Sequence, residues 1–341
     1  MDPEEVYDDD PVRILRAIRF AARLGWEIDP AAYRAICNNT PRLNIVSPER
    51  TRSEVEKMMA GPDPLRAFGL LEKTGALEHS LPELQRMVGQ RQDSEYHDTT
   101  VWEHTLNVLG DLESDDPRVL WAALLHDVAK SGKDSMASNG KTARGRSHSS
   151  MSAAVARGLL RRLRFQRDFI DEVCFMISHH SDTKRWGNLA EKATKADIRY
   201  LQCACRSPQR LARLLTLIDA DNRNYRPGHR MPDQAAAILR RSRELEETHE
   251  DMFSYSLPFS DLELSAHSGL KKPRDLRRLR EDLIRLVAKD PQIKRKQLLG
   301  ILAKMYADIP HDPSENVESK PSRKKRHNRR YRHQRKPKTK K

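Results

Sequence analysis

Residues 119–130, VLWAALLHDVAK, set the tightest constraint on how this chain folds. Seven apolar residues run into a histidine and an aspartate, and the apolar character resumes at Val128 and Ala129. A segment that is apolar all round belongs inside a helical core. The flank therefore carries Asp127 to the core side of a helix, where a carboxylate needs a cation partner because an isolated buried charge is costly.

The rest of the chain reads as helices. Ile14, Leu15, Ile18, Phe20, Ala21, Ala22 and Leu24 recur at the spacing of an amphipathic helix that Gly25 ends. Further helices are predicted at PAAYRAICNN, at SPERTRSEVEKMMAG with Ser47 as N-cap and Pro48 in the first turn, and at PLRAFGLLEKTG. The polar stretch VGQRQDSEYHDTT leads into a second run of helices from about 101 to 226, interrupted by GKDSMASNGKTARGRSHSS, which reads as a long loop. After RPGHRMPDQ come helices at QAAAILRRSRELEETHEDM, PRDLRRLREDLIRLVAK and IKRKQLLGILAKMYAD. No segment alternates as a strand would, and no fixed-period repeat is present. The expectation is an all-α protein with a helical neck and body over 1–92, a second helical domain over 93–230, a C-terminal helical module over 231–309 and a disordered basic tail over 310–341.

Composition supports this reading. Charged residues make up 33% of the 341 and aromatics 6%, which suits a helical protein better than a β sandwich. No apolar run approaches the roughly 20 residues that span a bilayer, and the acidic Met1–Pro11 is unlike a signal peptide, so a cytoplasmic location is expected. The four cysteines, Cys37, Cys174, Cys203 and Cys205, lack zinc-ligand spacing and read as reduced, structural thiols. The net charge is +14, and residues 320–341, which hold 13 lysines and arginines and no acid, account for nearly all of it. A segment this polar binds phosphate backbones by counterion release and does not fold alone.

The second helical run carries the chemistry. It offers His104 in VWEHTLNVL, His126-Asp127 in AALLHDVAKSG, His148, His179-His180 in FMISHHSD, and Asp219 and Asp221 in LLTLIDADN. Imidazoles and carboxylates are the ligands that borderline divalent metals prefer. A metal held by such groups lowers the pKa of bound water and polarises a phosphoryl oxygen, so phosphoester hydrolysis is the expected chemistry. The pattern resembles the HD superfamily of metal-dependent phosphohydrolases, whose signature is a His, a His-Asp dyad and a distal Asp on separate helices. The resemblance implies His104, His126, Asp127 and Asp221 as core metal ligands and His148 and His179 as additional ones. His180 and Asp219 are the nearest rivals. It implies Lys130 as a contact to substrate phosphate, catalytic roles for His126 and Asp127, and a divalent cofactor from among Mg, Mn, Ni, Fe and Co.

A second resemblance lies outside that region. DDPVRILRAIRFAARLGWEID looks like the neck of the bacterial-type tRNA nucleotidyltransferase and poly(A) polymerase family, in which an acid-Asp-x-x-Arg motif reads the incoming base. Here the motif is Asp9, Asp10 and Arg13, with Asp9 in place of the usual Glu, and Asp10 and Arg13 are expected to share one helical face. IVSPERTRSEVEKMMAGPDPLRAFGLLEKTGALEHSLPEL resembles the next stretch of the family, with Glu49, Arg50 and Glu54 in its helix-stabilising motif. LPFSDLELSAHSGLKKPRDLRRLREDL resembles the tail region, without most of the glycines usual there. The likeness covers about residues 8–305. The head domain that performs nucleotide transfer in the family has no counterpart in these residues.

Three functions follow as expectations. The first is an HD-type phosphohydrolase acting on nucleotides or RNA ends, as some members of the family act on 2′,3′-cyclic phosphates. The second is the neck, body and HD part of a CCA-adding or poly(A)-adding enzyme whose head is a separate partner or is missing from this start. The third is a non-catalytic RNA-binding protein using the basic tail, in which Tyr331 stands among the cations. The expected partners are RNA, with tRNA foremost, and nucleotides.

Overall fold

The computed structural model describes residues 2–92, 97–130, 147–183 and 193–306. The tail over 310–341 and most of the Gly/Ser-rich stretch lie outside the described residues. Among those described, the chain is all-α, with no strand; an isolated bridge pairs Arg91 with Thr100. No helix is long and apolar enough to cross a membrane.

The helices begin where the sequence provides caps. α3 (Pro30–Asn39), α4 (Pro48–Met59), α5 (Pro64–Lys73), α9 (Pro117–Leu125) and α13 (Pro208–Arg223) share one device. Each starts with a proline whose preceding Asp29, Ser47, Asp63, Asp116 or Ser207 accepts a hydrogen bond from a backbone N–H two or three residues on. Proline has no N–H to leave unsatisfied there, and each cap contributes about 1 kcal/mol. α8 (Val101–Gly110) and α12 (Lys195–Cys205) start with reciprocal boxes, Thr100 with Glu103 and Thr194 with Asp197. α2 (Val12–Leu24) stops at Gly25, whose φ of 68° is the left-handed conformation that favours glycine.

Two compact units result. The larger comprises residues 1–257 and 281–292. Within it, α1 (Pro3–Asp9) packs on α3, and α2 packs on α4 and α5. α9 is enclosed by α8, α10 (His148–Arg162), α11 (Arg167–His179) and α13, and α14 (Gln234–Glu247) lies against α12 and α13. Every residue of α9 from Val119 to Leu125 is buried, as its uniformly apolar sequence requires. Trp102 donates to Glu72 Oε2 at 2.7 Å, which ties α8 to α5. In the smaller unit α15 (Asp261–Ser268) packs against α17 (Arg295–Met305), with Arg295 paired to Glu263 at 2.7 Å. α16 spans Pro273–Lys289. All four cysteines are free thiols, and burial pushes Cys203 and Cys205 up to about 12.

The neck differs from expectation in one respect. Asp10 stands just outside the helices, since α1 ends at Asp9 and α2 begins at Val12, yet its carbonyl accepts from Arg13 N–H at 3.0 Å, so the two residues close one turn at the head of α2. Pro11 is the reason Asp10 stays outside, because it pushes the residue before it into an extended conformation, here φ −142° and ψ 94°. Asp10 pairs instead with Arg50 at 2.6 Å, and Arg13 with Asp9 at 3.0 Å.

Deeper in the same region Glu54 of α4 is 3% exposed and meets Arg19 of α2 at 2.7 Å and Lys57 at 3.1 Å. Burial pushes its carboxyl up, but the hydrogen bonds and charges of Arg19 and Lys57 prevail and hold it below its usual value. A depressed acid adds stability that is complete above the ordinary glutamate range and is lost as the pH falls through the folded value. Glu54→Ala should therefore cost about 3 kcal/mol near neutrality, the lower end for breaking a buried pair because Lys57 is half exposed. Denaturant titrations should show that loss shrinking in acid, below the carboxylate range; an equal loss at both pH values would contradict the pairing.

Candidate metal centre

The centre is built at the ends of α9 and α11 and on the buried faces of α8 and α13. His104 sits midway along α8 with no exposure, on the same side as Val101, Thr105 and Val108. His126 is the C-cap of α9, and Asp127 follows in the turn just beyond that helix, not on it as the flank suggested. The turn is closed by Lys130 N–H donating to the Asp127 carbonyl at 2.9 Å, and Ala129 N–H donates to Ser152 Oγ at 3.1 Å. Ser147 caps α10, so the last residues of the expected loop are helical and His148 lies in the first turn.

These side chains converge. His104 Nε2 is 3.0 Å from Asp221 Oδ1 and 3.3 Å from His126 Nε2. Asp127 Oδ2 lies 3.3 Å from His126 Nε2 and 2.5 Å from Lys130 Nζ, while its Oδ1 lies 3.8 Å from Nε2 of both His148 and His180. Two adjoining groups result, His104/His126/Asp221 and Asp127/His148/His180, each with donor atoms within 4.8 Å of one another.

Two histidines are aimed by the same device. His126 Nδ1 bonds the Ala123 carbonyl at 2.8 Å, and His180 Nδ1 bonds the Ile177 carbonyl at 2.7 Å. A carbonyl only accepts, so each Nδ1 carries the proton and each Nε2 is turned inward with a lone pair available in the neutral ring. On Asp221 the other carboxylate oxygen accepts from Tyr225 Oη at 2.7 Å.

The sequence reading and the geometry part at His179. That residue is the last of α11 and lies outside the cluster, with Nδ1 2.7 Å from Asp182; His180, 1% exposed, stands in the cluster instead. The signal was in the sequence: Val173, Met176 and Ile177 are buried, and His180 continues that stripe at the helical spacing while His179 leaves it. Asp219 likewise faces outward and pairs with Arg223 at 3.1 Å, whereas Asp221 continues the Leu214, Leu217, Ile218 stripe. His97 and Tyr225, which no motif singled out, also reach the centre. His97 is 5% exposed, with its ring 4.4 Å from that of His104.

The electrostatics suit a cation. Asp127 and Asp221 are each 1% exposed. Burial would raise the Asp127 carboxyl, but Lys130 and His126 hold it well below the usual range, so it is an anion in the core. Burial lowers His104 against the pull of Asp221, and burial with the nearby His104 and Lys130 lowers His97 to about 3. Among the described residues Asp127 Oδ1 and His104 Nδ1 have no hydrogen-bond partner. A buried carboxylate oxygen left without a donor, facing two imidazole nitrogens, fits a divalent ion with nitrogen and oxygen ligands.

Known proteins share this organisation. Residues 25–87 match the family model described as the probable RNA and SrmB-binding site of polymerase A, and residues 96–224 match the HD domain. The chain is 32% identical over 233 residues to the multifunctional CCA protein of Laribacter hongkongensis, a match covering 66% of this chain and 55% of that protein. It is 29% identical over 255 residues to the bifunctional uridylyltransferase/uridylyl-removing enzyme of Phenylobacterium zucineum, covering 67% of this chain and 26% of the relative. The chain thus spans about half of the first relative and a quarter of the second. In fold it is similar to the Bacillus stearothermophilus CCA-adding enzyme in complex with CTP, with a TM-score of 0.52 at 20% identity over 89% of this chain and 64% of that one.

The placement of the adjacent histidines is directly testable. His180→Ala should lower the amount of Mn(II) or Co(II) retained after equilibrium dialysis, and His179→Ala should leave it at the wild-type level. The reverse pattern would assign the ligand to His179.

Proposed function

The chain belongs to the tRNA nucleotidyltransferase and poly(A) polymerase family, and we propose on that premise that its HD domain is a divalent-metal phosphohydrolase acting on phosphoesters of nucleotides or RNA ends in the cytoplasm. The observation that carries the proposal is the convergence of six donors, from His104, His126, Asp221, Asp127, His148 and His180, in a buried cluster. These six would hold the metal. When bound, a divalent ion supplies a water of lowered pKa and polarises a phosphoryl oxygen.

The chain's own residues account for the rest. Lys130 and His148 are the cluster members that reach solvent, with side chains 13% and 15% exposed against 2% or less for the others. A phosphate would therefore approach at their edge, where the Lys130 ammonium, held by Asp127 at 2.5 Å and Gln92 at 3.2 Å, offers it positive charge. The net reaction adds water at phosphorus and breaks the ester P–O bond. Binding of RNA falls to residues 25–87, the stretch that matches the RNA-binding family model, and to the basic segment 320–341. Asp9, Asp10 and Arg13 are proposed to meet a nucleotide; Asp9 and Arg13 are the more accessible, at 71% and 40% exposure.

The test is hydrolysis of a 2′,3′-cyclic nucleotide and of a cyclic-phosphate-ended RNA by the full chain with Mn(II), Co(II), Ni(II) or Mg(II). Asp127→Ala should abolish turnover and metal retention together. Turnover that persists in Asp127→Ala, or a wild type inert with every metal and substrate, would overturn the proposal.

A further inference from the structure

Behind the proposed ligands His104 and Asp221 stands a second layer made of two aromatic residues from separate parts of the chain. Tyr225 follows the end of α13 and is 2% exposed. Its hydroxyl donates to Asp221 Oδ2 at 2.7 Å, which leaves Oδ1 as the oxygen facing His104. The Tyr225 carbonyl accepts from Arg230 at 3.0 Å, and Asn224 ties the end of α13 to Asp111 at the end of α8 at 3.0 Å, so the backbone carrying the hydroxyl is itself held. His97 fills the angle between the rings, 4.4 Å from His104 at 66° and 5.1 Å from Tyr225 at 85°, both edge-to-face.

We infer that Tyr225 and His97 are positioning residues of the metal centre, Tyr225 fixing which carboxylate oxygen of Asp221 faces inward and His97 fixing the ring plane of His104. The inference rests on the metal-site reading above. His126 and His180 are aimed by carbonyls of their own helices, but His104 has no hydrogen-bond partner at Nδ1 among the described residues. Its orientation therefore depends on the Asp221 contact at Nε2 and on what packs against its ring. Partners of this kind typically alter metal affinity by 10–100-fold without contacting the ion.

Co(II) titration of the full-length wild type, Tyr225→Phe, His97→Ala and His97→Phe, followed by visible absorption, separates positioning from packing. The thermal midpoint of each metal-free protein is measured alongside. Tyr225→Phe keeps the ring and should bind Co(II) about 10-fold or more weakly, with shifted bands and an unchanged metal-free midpoint. His97→Ala should weaken binding similarly, and His97→Phe, which keeps a ring against His104, should restore it. Wild-type affinity and bands in Tyr225→Phe would overturn the inference, and that variant decides the question if His97→Ala fails to fold. His97→Phe as weak as His97→Ala would overturn the positioning role of His97. A wild type that binds no Co(II) would instead refute the metal-site reading, and this inference with it.

Discussion

Two carboxylates in an apolar core are the constraint on which the larger unit is organised. Asp127 and Asp221 each lie at 1% exposure. Burying an ion costs several kcal/mol even after relaxation. The folded chain offsets that cost by delivering His104, His126, His148, His180 and Lys130 to the same point, from α8, α9, α10, α11 and the turn after α9, with the Tyr225 hydroxyl on Asp221. α9 must therefore be central, since its end supplies the dyad, and its uninterrupted apolar sequence makes centrality favourable. Packing and chemistry are specified here by the same twelve residues.

Geometry is secured by short-range devices. Backbone carbonyls at the ends of α9 and α11 set the tautomer of His126 and His180. Both histidines are helix C-caps, where carbonyls of the last turn lack helical partners. The helix end thus gains a donor and the histidine gains a direction. His104, midway along its helix, has no such carbonyl, which is why its orientation passes to neighbours that approach from elsewhere in the chain.

Most of the fold was legible because it follows periodicity and capping. The starts of α3, α4, α5 and α16 were readable to the residue, and the His104, His126, Asp127 and Asp221 constellation was visible as ionisable groups in apolar runs. His180 was readable, since the Val173, Met176, Ile177 stripe passes through it. Asp10 lies just before α2, not on it, because Pro11 holds the residue before it extended. His97 and Tyr225 were illegible. Their importance comes from contacts across long sequence separations, and a histidine in a polar stretch carries no periodic signal.

The likeness to RNA-handling proteins bears on the neck and body, while the buried cluster bears on the chemistry, and the two arguments are independent. The central claim is that the cluster is a metal site with nitrogen and oxygen ligands. X-ray absorption at the metal edge of the full chain, loaded with Co(II) or Mn(II), tests it most directly. The account predicts a first shell of nitrogen and oxygen with the outer-shell scattering of imidazole rings, absent in Asp127→Ala. A protein that retains no metal, or a shell containing sulfur or lacking imidazole, would contradict it.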